Sequence, residues 1–145
     1  MKITSPAFEN NQNIPAGYTC DGKNVNPPLQ ITDVPAGAKS LALIMDDPDS
    51  PTGTWDHWIV FNIPPHVTQI PEDSEPEGVQ GRTSFQELGY GGPCPGSGEH
   101  RYFFKLYALD RQLDLKEGAT KAEVERAMEG HILEQAELMG QYSRL

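Results

Sequence analysis

The sequence predicts a mostly β protein built from many short strands with turn-rich connections, closed by helices at its C-terminal end. Three observations support this prediction. The 145 residues include 13 prolines and 14 glycines, which favour turns over long helices. Short apolar stretches recur between those turn residues, as expected for strands. Apolar residues at helical spacing occur only in the last quarter of the chain. A length of 145 residues predicts one domain, 1–145, with one substantial core.

Four apolar stretches are the strand candidates, and two weaker stretches could add short strands. Their β-branched and aromatic content, together with the flanking turn residues, distinguishes them from helix segments. The four are Leu29–Ile31, Leu41–Met45, His57–Asn62 and His100–Leu109, and the weaker two are Ile3–Phe8 and Thr83–Phe85.

Two helices are predicted after residue 119. Thr120 and Glu123 have the spacing of a capping box, and apolar residues follow at helical intervals from Val124 to Met128. Gly130 would end or bend that helix. A second helix is predicted from His131 to about Tyr142, with an apolar stripe that requires a sheet or a partner chain to cover it.

The charge balance excludes several classes of function. Eleven basic and 21 acidic residues give a net charge of −10, which disfavours binding to nucleic acid or to anionic lipid headgroups. No stretch has the length of a membrane-spanning helix, and the N-terminus lacks a signal-peptide core. A cytoplasmic protein is the default expectation, unless a leader peptide has been removed. Cys20 and Cys94 match no zinc or redox spacing, so two reduced thiols are favoured over a disulfide.

Two rigid, turn-rich segments each deliver a histidine to a strand. The first runs from Met45 to Trp58 and contains four carboxylates, two prolines and His57 between two tryptophans. The second, from Gly89 to Tyr107, is rich in glycine and proline before His100. The flanking strand signals indicate that Asp47 and the two histidines converge at one end of a sheet.

Side-chain alternation predicts which residues face one cavity. With a period of two, Trp55 and Ile59 share the face of His57, whereas Asp56 and Trp58 point away. In the second segment, residues 100 and 102 share a face. The predicted pocket is therefore lined by Asp47, Trp55, His57, His100 and Tyr102.

Such a pocket suits hydrogen bonding to a small anion or a polar headgroup. Two imidazoles and a phenol can donate to phosphate oxygens, and the Gly96–Gly98 loop can add backbone N–H groups. Asp47 beside an anion makes sense in three ways. It could keep one histidine protonated, carry a proton itself, or bind the amine of a zwitterionic headgroup.

The two segments closely resemble the signature boxes of the phosphatidylethanolamine-binding protein family, in particular its bacterial and archaeal Raf-kinase-inhibitor-like branch. The matching residues are 47–51 with 55–57, and 92–102. The segments 5–8, 19–22, 26–29 and 130–139 are also similar to that branch, so the resemblance covers most of the chain.

The resemblance implies a large central antiparallel sheet, a smaller sheet packed on it and C-terminal helices. It also implies an anion pocket without a cofactor or metal, formed by Asp47, Asp49, Trp55, His57, Pro93, His100 and Tyr102, with Cys94, Gly96, Ser97 and Gly98 at the rim. The Ser50–Pro51 bond is the candidate for a cis peptide. Many animal members have proline where Cys94 stands, so the rim here could be softer and carry an accessible thiol.

Plainer interpretations exist for several of these residues. His57 could be a hydrogen-bonded core histidine, and Asp49 could be structural, capping the turn before Pro51 or pairing with Arg101. Trp55, Trp58 and Tyr107 are expected to be core or wall aromatics. Arg82 could stabilise the second loop or lie near an anion. His66 and His131 are expected to be ordinary surface or helix residues, and Tyr142 could approach the pocket.

Three functions are compatible with the sequence. The first is a non-enzymatic binding module for phosphate-type or phosphoethanolamine-like ligands. The second is an interaction or inhibitor protein with a kinase or protease partner, and a homodimer is also conceivable. The third, least favoured, is a hydrolase that uses metal or acid–base chemistry. No nucleophile paired with a base supports it, since Ser97 and Cys94 lie near His100 without the spacing of a triad.

Overall fold

Two sheets, antiparallel except where β2 pairs with β9, and one α-helix make up the structure, a computed structural model that describes residues 1–144. The smaller sheet has three strands in the order β1-β3-β6, and the larger has six in the order β2-β9-β8-β4-β5-β7. The strands are β1 Lys2–Thr4, β2 Gln12–Asn13, β3 Leu29–Thr32, β4 Ser40–Asp47, β5 Trp55–Ile63, β6 Gln69–Ile70, β7 Val79–Gln80, β8 Glu99–Leu109 and β9 Ile132–Ser143. A 3-10 helix, Ala16–Tyr18, precedes β3, and the helix α1, Lys121–Met128, precedes β9. The mostly β fold class is confirmed.

The large sheet lies between two apolar layers. On one face, residues such as Leu43, Val60 and Phe104 pack against Ile31 and Ile70 of the small sheet. On the other face, a second cluster joins β4 and β5 to α1, and it contains Ala42, Ile44, Ile59, Phe61, Val124 and Met128. All eight residues of β4 are buried, because a central strand covered on both faces needs apolar side chains on both.

The four main strand predictions correspond to β3, β4, β5 and β8. The weaker stretch near Ile3 contains the short strand β1. The Thr83–Phe85 prediction is wrong, because that segment forms a turn closed by an isolated bridge between Arg82 and Leu88. There the Thr83 N–H donates to the Glu87 carbonyl over 2.9 Å, which folds the segment back on itself.

The capping box at the start of α1 is confirmed. The Thr120 hydroxyl accepts from the Glu123 N–H, and the Glu123 carboxylate accepts from the Thr120 N–H over 3.0 Å. These reciprocal bonds satisfy two N–H groups that the first helical turn cannot pair internally.

The predicted helix from His131 to Tyr142 is wrong, because this segment is the strand β9. It pairs antiparallel with β8 along its length, from Glu99 opposite Ser143 to Leu109 opposite Ile132. Pairing with the otherwise open edge of β8 gives this segment interstrand hydrogen bonds along its length. These tertiary interactions outweigh the helical spacing of its apolar residues. The supposed apolar stripe is not buried, since Ile132 and Leu133 are 42% and 44% exposed.

Gly140 allows the N-terminal strand β2 to lie close to β9. A Cβ at this position would lie 2.4 Å from Cγ1 of Ile14. The absence of a side chain lets β2 approach β9 in parallel, with Gln12 opposite Gly140. The glycine thus marks a close backbone approach within a strand.

Candidate functional site

A single cavity of about 220 Å³ contains most of the predicted pocket residues. It lies where the C-terminal end of β4, the start of β5 and the start of β8 meet. Its size is below the range of about 300–1,000 Å³ that drug-sized ligands occupy. The lining consists of Asp47, Ser50, Pro51, Trp55, His57, Phe85, Cys94, Pro95, Gly96, His100 and Tyr102.

Asp47 and His100 form a buried pair at the bottom of the site. Oδ2 of Asp47 lies 2.7 Å from Nδ1 of His100, and both residues are buried. Oδ1 of Asp47 accepts from the backbone N–H of Asp49 over 2.7 Å. A carboxylate can only accept, so Nδ1 carries a proton and Nε2 is left for the cavity. Because both carboxylate oxygens are engaged within the protein, Asp47 orients His100 rather than presenting itself to a ligand amine.

His57 reaches the cavity through a β-bulge. Met45 pairs with Trp58 and Asp46 with Asp56, so His57 is the extra residue between two successive pairs. A bulge re-aims side chains that strict alternation would send to the other face. Nδ1 of His57 lies 2.6 Å from the carbonyl oxygen of Gly91, which fixes the ring.

The bulge also explains why the predicted facing pattern around His57 is half wrong. Trp55 shares the cavity with His57, and Asp56 points away, as predicted. Trp58, however, packs in the core between the two sheets, while Ile59 packs toward α1. Two consecutive residues, 57 and 58, therefore point to the same side of the sheet, an arrangement that a period of two cannot produce.

The upper wall of the cavity is aromatic. The ring of His57 meets the edges of Phe85 and Tyr102 at centroid distances of 5.4 and 5.3 Å. Trp55 packs against Phe85 at 5.5 Å. Burial raises the pKa of Tyr102, and the neighbouring Asp47 adds to this shift, so the phenol is a donor at neutral pH.

Burial lowers the pKa of the His57 imidazole below its usual 6.5. The carbonyl oxygens of Gly91 and Gly92 and the carboxylates of Asp47 and Asp46 act in the opposite direction but do not overcome burial. His57 is therefore neutral at physiological pH, with its proton on Nδ1. His57 is thus a buried, hydrogen-bonded histidine, as the plainer interpretation expected, and it also lines the cavity.

Asp49 lies beside the cavity and pairs with Arg101. Its carboxylate accepts from Nε, Nη2 and the backbone N–H of Arg101, each over 2.9 Å. The hydrogen bonds from Arg101 lower the pKa of Asp49. Asp49 therefore pairs with Arg101, as its structural interpretation expected. This bidentate pair ties the loop after β4 to the start of β8.

Cys20 and Cys94 form a disulfide, which corrects the expectation of two reduced thiols and of an accessible thiol at the rim. Their Cα atoms are 5.4 Å apart, within the range that a disulfide requires. The backbone supports this approach, because the N–H of Cys20 donates to the carbonyl of Pro93 over 3.1 Å. A separation of 74 residues hid the pairing from motif analysis.

The C-terminal end of β9 closes the same corner. Tyr142, opposite His100 in the sheet, donates its hydroxyl to Asp21 over 2.6 Å, and Arg144 pairs with Asp21 over 3.0 Å. Tyr142, which was expected to approach the pocket from a helix, lies on a strand and is not part of the cavity lining. Its hydroxyl contacts the turn that carries Cys20.

The structure brings most, though not all, of the predicted residues to the cavity lining. Asp49, Pro93, Ser97 and Gly98 lie outside the lining, while four lining residues had not been proposed as contacts, namely Ser50, Pro51, Phe85 and Pro95. Ser50 and Pro51 lie inside the first motif and could have been included. Phe85 carried no local signal. The Ser50–Pro51 bond is trans, so the expectation of a cis peptide there is wrong, and residues 1–144 contain no cis peptide.

The remaining individual predictions have simple outcomes. Arg82 stabilises its own loop by donating to the Gln86 carbonyl over 3.1 Å. His131 pairs with Asp110 over 2.8 Å, and His66 is exposed. Across residues 1–144, no three His, Cys, Asp or Glu side chains are grouped as metal ligands. The same residues include no helix that is both long enough and apolar enough to cross a membrane.

The comparison with known proteins is consistent along the whole chain. The model of the family described as phosphatidylethanolamine-binding protein matches residues 4–143. A UPF0098 protein of Methanothermobacter thermautotrophicus is 53% identical over 150 residues, covering 99% of each chain. A UPF0098 protein of Pyrococcus horikoshii is 51% identical and covers 99% of this chain and 77% of its own length.

Two solved structures share the fold closely. A phosphatidylethanolamine-binding protein homolog from Chlamydia trachomatis has a TM-score of 0.96 at 46% identity, over 99% of this chain and 97% of its own. The Escherichia coli protein YbcL, described as a member of the mammalian family, has a TM-score of 0.91 at 32% identity, over 99% and 98%. These matches confirm the resemblance that the two motifs indicated, and the chain belongs to the phosphatidylethanolamine-binding protein family.

Proposed function

We propose that this protein is a non-enzymatic binding protein for small phosphate-type anions and phosphoethanolamine-like headgroups. The observation that carries the proposal is the convergence of His100, His57 and Tyr102 on one cavity, with His100 held by Asp47 at 2.7 Å. Imidazolium and phenol groups donate hydrogen bonds to oxyanions, and donors aimed by a second partner lose little entropy when they bind.

The size and charge of the cavity favour a small ligand. Its volume of about 220 Å³ accommodates a phosphate or a short phosphoester, but not a large cofactor. When His100 is protonated, its positive charge faces Asp47 on one side and the cavity on the other, so the pair can accept one added anion. The overall charge of −10 makes a polyanionic partner such as nucleic acid a poor candidate.

Two features support binding without turnover. Cys94, the thiol closest in sequence to His100, is held in a disulfide and cannot act as a thiolate. Asp47 and His100 have the geometry of an acid–base pair, but Ser50, the one hydroxyl of serine or threonine in the lining, lies 3.5 Å from Thr52 and makes no hydrogen bond to a described histidine. A nucleophile activated by a base is therefore not assembled among the described residues.

Isothermal titration calorimetry with inorganic phosphate and with O-phosphoethanolamine tests the proposal. The informative variant is His100→Asn, because the asparagine amide can replace Nδ1 as donor to Asp47 but does not reach the cavity as Nε2 does. We expect affinity to fall about 10- to 100-fold, the range for losing a hydrogen bond to a charged group. His66→Asn is the matched control, since His66 is exposed outside the site.

Retention of phosphate affinity in His100→Asn, with an unchanged thermal midpoint, would contradict the proposal. Failure of the unmodified protein to bind either ligand at millimolar concentration would contradict it as well. Hydrolysis of a phosphomonoester that depends on His100 would instead support the enzyme hypothesis.

A second candidate, an interaction or inhibitor protein, is favoured by two exposed apolar side chains of one turn, the first of which borders the cavity. Phe85 and Leu88 are 39% and 43% exposed, and Phe85 also lines the cavity. Exposed apolar groups at a rim are common in protein contact surfaces. Inhibition of a kinase or protease panel that is lost in a Leu88→Ser variant, with phosphate binding kept, would favour this function.

Assembly and location remain predictions. A homodimer is tested by light scattering at several concentrations. A cytoplasmic location is tested by fractionation of the native host, and the Cys20–Cys94 bridge weighs against it because reducing compartments usually keep thiols free.

A further inference from the structure

We propose that His57 acts as a hydrogen-bond acceptor in the cavity, so that the site selects oxyanions that still carry a proton over equally charged oxyanions that carry none. This inference rests on the proposed anion-binding function and specifies which ionic form of the ligand the site takes. A phosphomonoester monoanion has such a proton, whereas a sulfate ester has none.

His57 is held in one tautomer by the backbone beside it. The Gly91 carbonyl, 2.6 Å from Nδ1, can only accept a hydrogen bond, so Nδ1 must carry the proton. A neutral imidazole has one N–H, and its other nitrogen is then an acceptor. Nε2 of His57 therefore presents a lone pair.

This lone pair is available to a ligand. The His57 ring lines the cavity, and no residue among 1–144 forms a hydrogen bond with Nε2. Two buried side-chain atoms in that range lack a hydrogen-bond partner, Oδ1 of Asp46 and Oε1 of Gln80. Nε2 of His57 also lacks a partner but is not one of these buried atoms, so it is accessible from the cavity. A ligand that fills the cavity must either donate to Nε2 or leave it unpaired.

The surroundings keep His57 neutral. Phe85 and Tyr102 pack edge-on against the ring, and the residue is 3% exposed. Burial lowers the pKa of His57, against the opposing influence of the Gly91 and Gly92 carbonyls and of Asp47 and Asp46. Asp47 and Asp46 are both negative, and Tyr102, whose pKa is raised by burial, packs against the ring as an uncharged phenol.

The two carboxylates also favour a ligand with fewer negative charges. Asp47 and Asp46 both act electrostatically on His57, and each would repel a dianion more strongly than a monoanion. A proton retained on the ligand therefore serves two purposes. It reduces the ligand's charge, and it supplies the donor that Nε2 requires. Tyr102, and His100 in its imidazolium form, then donate to the ligand, whereas His57 accepts from it.

Methyl phosphate and methyl sulfate form the matched pair of probes. At a pH of about 6, near the second ionisation of a phosphate ester, much of the methyl phosphate is a monoanion with one O–H. Methyl sulfate has the same charge and nearly the same shape without that proton. We expect calorimetry to give at least about tenfold tighter binding of methyl phosphate, the ratio for one buried acceptor left unpaired.

His57→Asn is the critical variant. The asparagine amide can still donate to Gly91 in place of Nδ1, but no atom replaces Nε2, so the preference for methyl phosphate should fall to about onefold to twofold. His66→Asn should keep the tenfold preference, because His66 is exposed outside the cavity. Circular dichroism of each variant verifies that the fold is retained.

The outcomes separate this inference from the proposed function. Equal affinities for the two probes in the unmodified protein, both lost in His100→Asn, would leave the anion site in place and overturn the acceptor role of His57. A preference that persists in His57→Asn would overturn it as well. Binding of neither probe would overturn the anion site and, with it, this inference.

Discussion

Removal of the Cys20–Cys94 disulfide should destabilise the protein by about 4 kcal/mol, and the size of the effect follows from the loop that the bridge closes. The two cysteines are 74 residues apart. In the chain-entropy description, a cross-link over such a loop removes about 15 cal/mol/K from the unfolded ensemble, or about 4 kcal/mol at 25 °C. Since small domains are stable by about 5–15 kcal/mol, this is a large share.

The assay is equilibrium unfolding in guanidinium chloride at pH 7 of the oxidised protein and of a Cys20→Ser, Cys94→Ser variant. Each single variant should match the double variant, because either one alone removes the bridge. The slope of free energy against denaturant should also increase in the variants, since an uncross-linked unfolded chain exposes more surface. An increased slope would locate the effect in the unfolded state, where the entropic argument places it.

Two results would refute this reasoning. Titration of two free thiols in the denatured, unreduced protein would mean that the bridge does not form. A loss of less than about 1 kcal/mol in the double variant, with an unchanged slope, would mean that loop closure over 74 residues is not the source of stabilisation.

Three further predictions concern the site and the helix. Because burial lowers the pKa of His57, its neutral form contributes stability that is fully present above its unfolded pKa of about 6.5 and is lost as the pH falls toward the folded pKa. The free energy of unfolding, measured from pH 7.5 to 5, should therefore decrease less steeply in His57→Asn than in the unmodified protein. Parallel pH curves for the two proteins would contradict this. Asp49→Asn should accelerate hydrogen exchange of the Arg101 amide, whose N–H donates to Asp49 over 2.9 Å, and unchanged protection would show that the pair does not hold the loop. Thr120→Ala should lower the free energy of unfolding by about 1 kcal/mol through loss of the helix cap, whereas a change below about 0.3 kcal/mol would show that the cap is dispensable.

The parts of the fold that the sequence predicted are those whose stability is local. The central strand β4 is a continuous apolar run bounded by turns, and its burial on both faces follows from that composition. The start of α1 depends on Thr120 and Glu123, three residues apart, which bond to each other in the structure. In both cases the deciding interactions lie within one short segment.

The failures come from interactions between distant segments. The segment 132–143 has helical spacing, but eleven residue pairs with β8 make it a strand. Cys20 meets Cys94 only because the turn after the 3-10 helix bonds to the second loop through Pro93. Phe85 enters the cavity wall from a turn whose sequence resembles a weak strand. Tertiary contacts override local propensity in each of these cases.

The β-bulge at His57 connects the prediction of the site with its chemistry. Alternation correctly placed His100 and Tyr102 on one face, because β8 pairs with β9 in unbroken register from Glu99 to Ala108. The same rule failed at residue 58, because β5 inserts one residue opposite the end of β4. Without that extra residue, His57 would point toward α1 together with Ile59, away from His100 and Tyr102. The insertion thus brings the acceptor imidazole of His57 to the same cavity as Tyr102 and His100, and this juxtaposition could not be deduced from the order of residues along either strand.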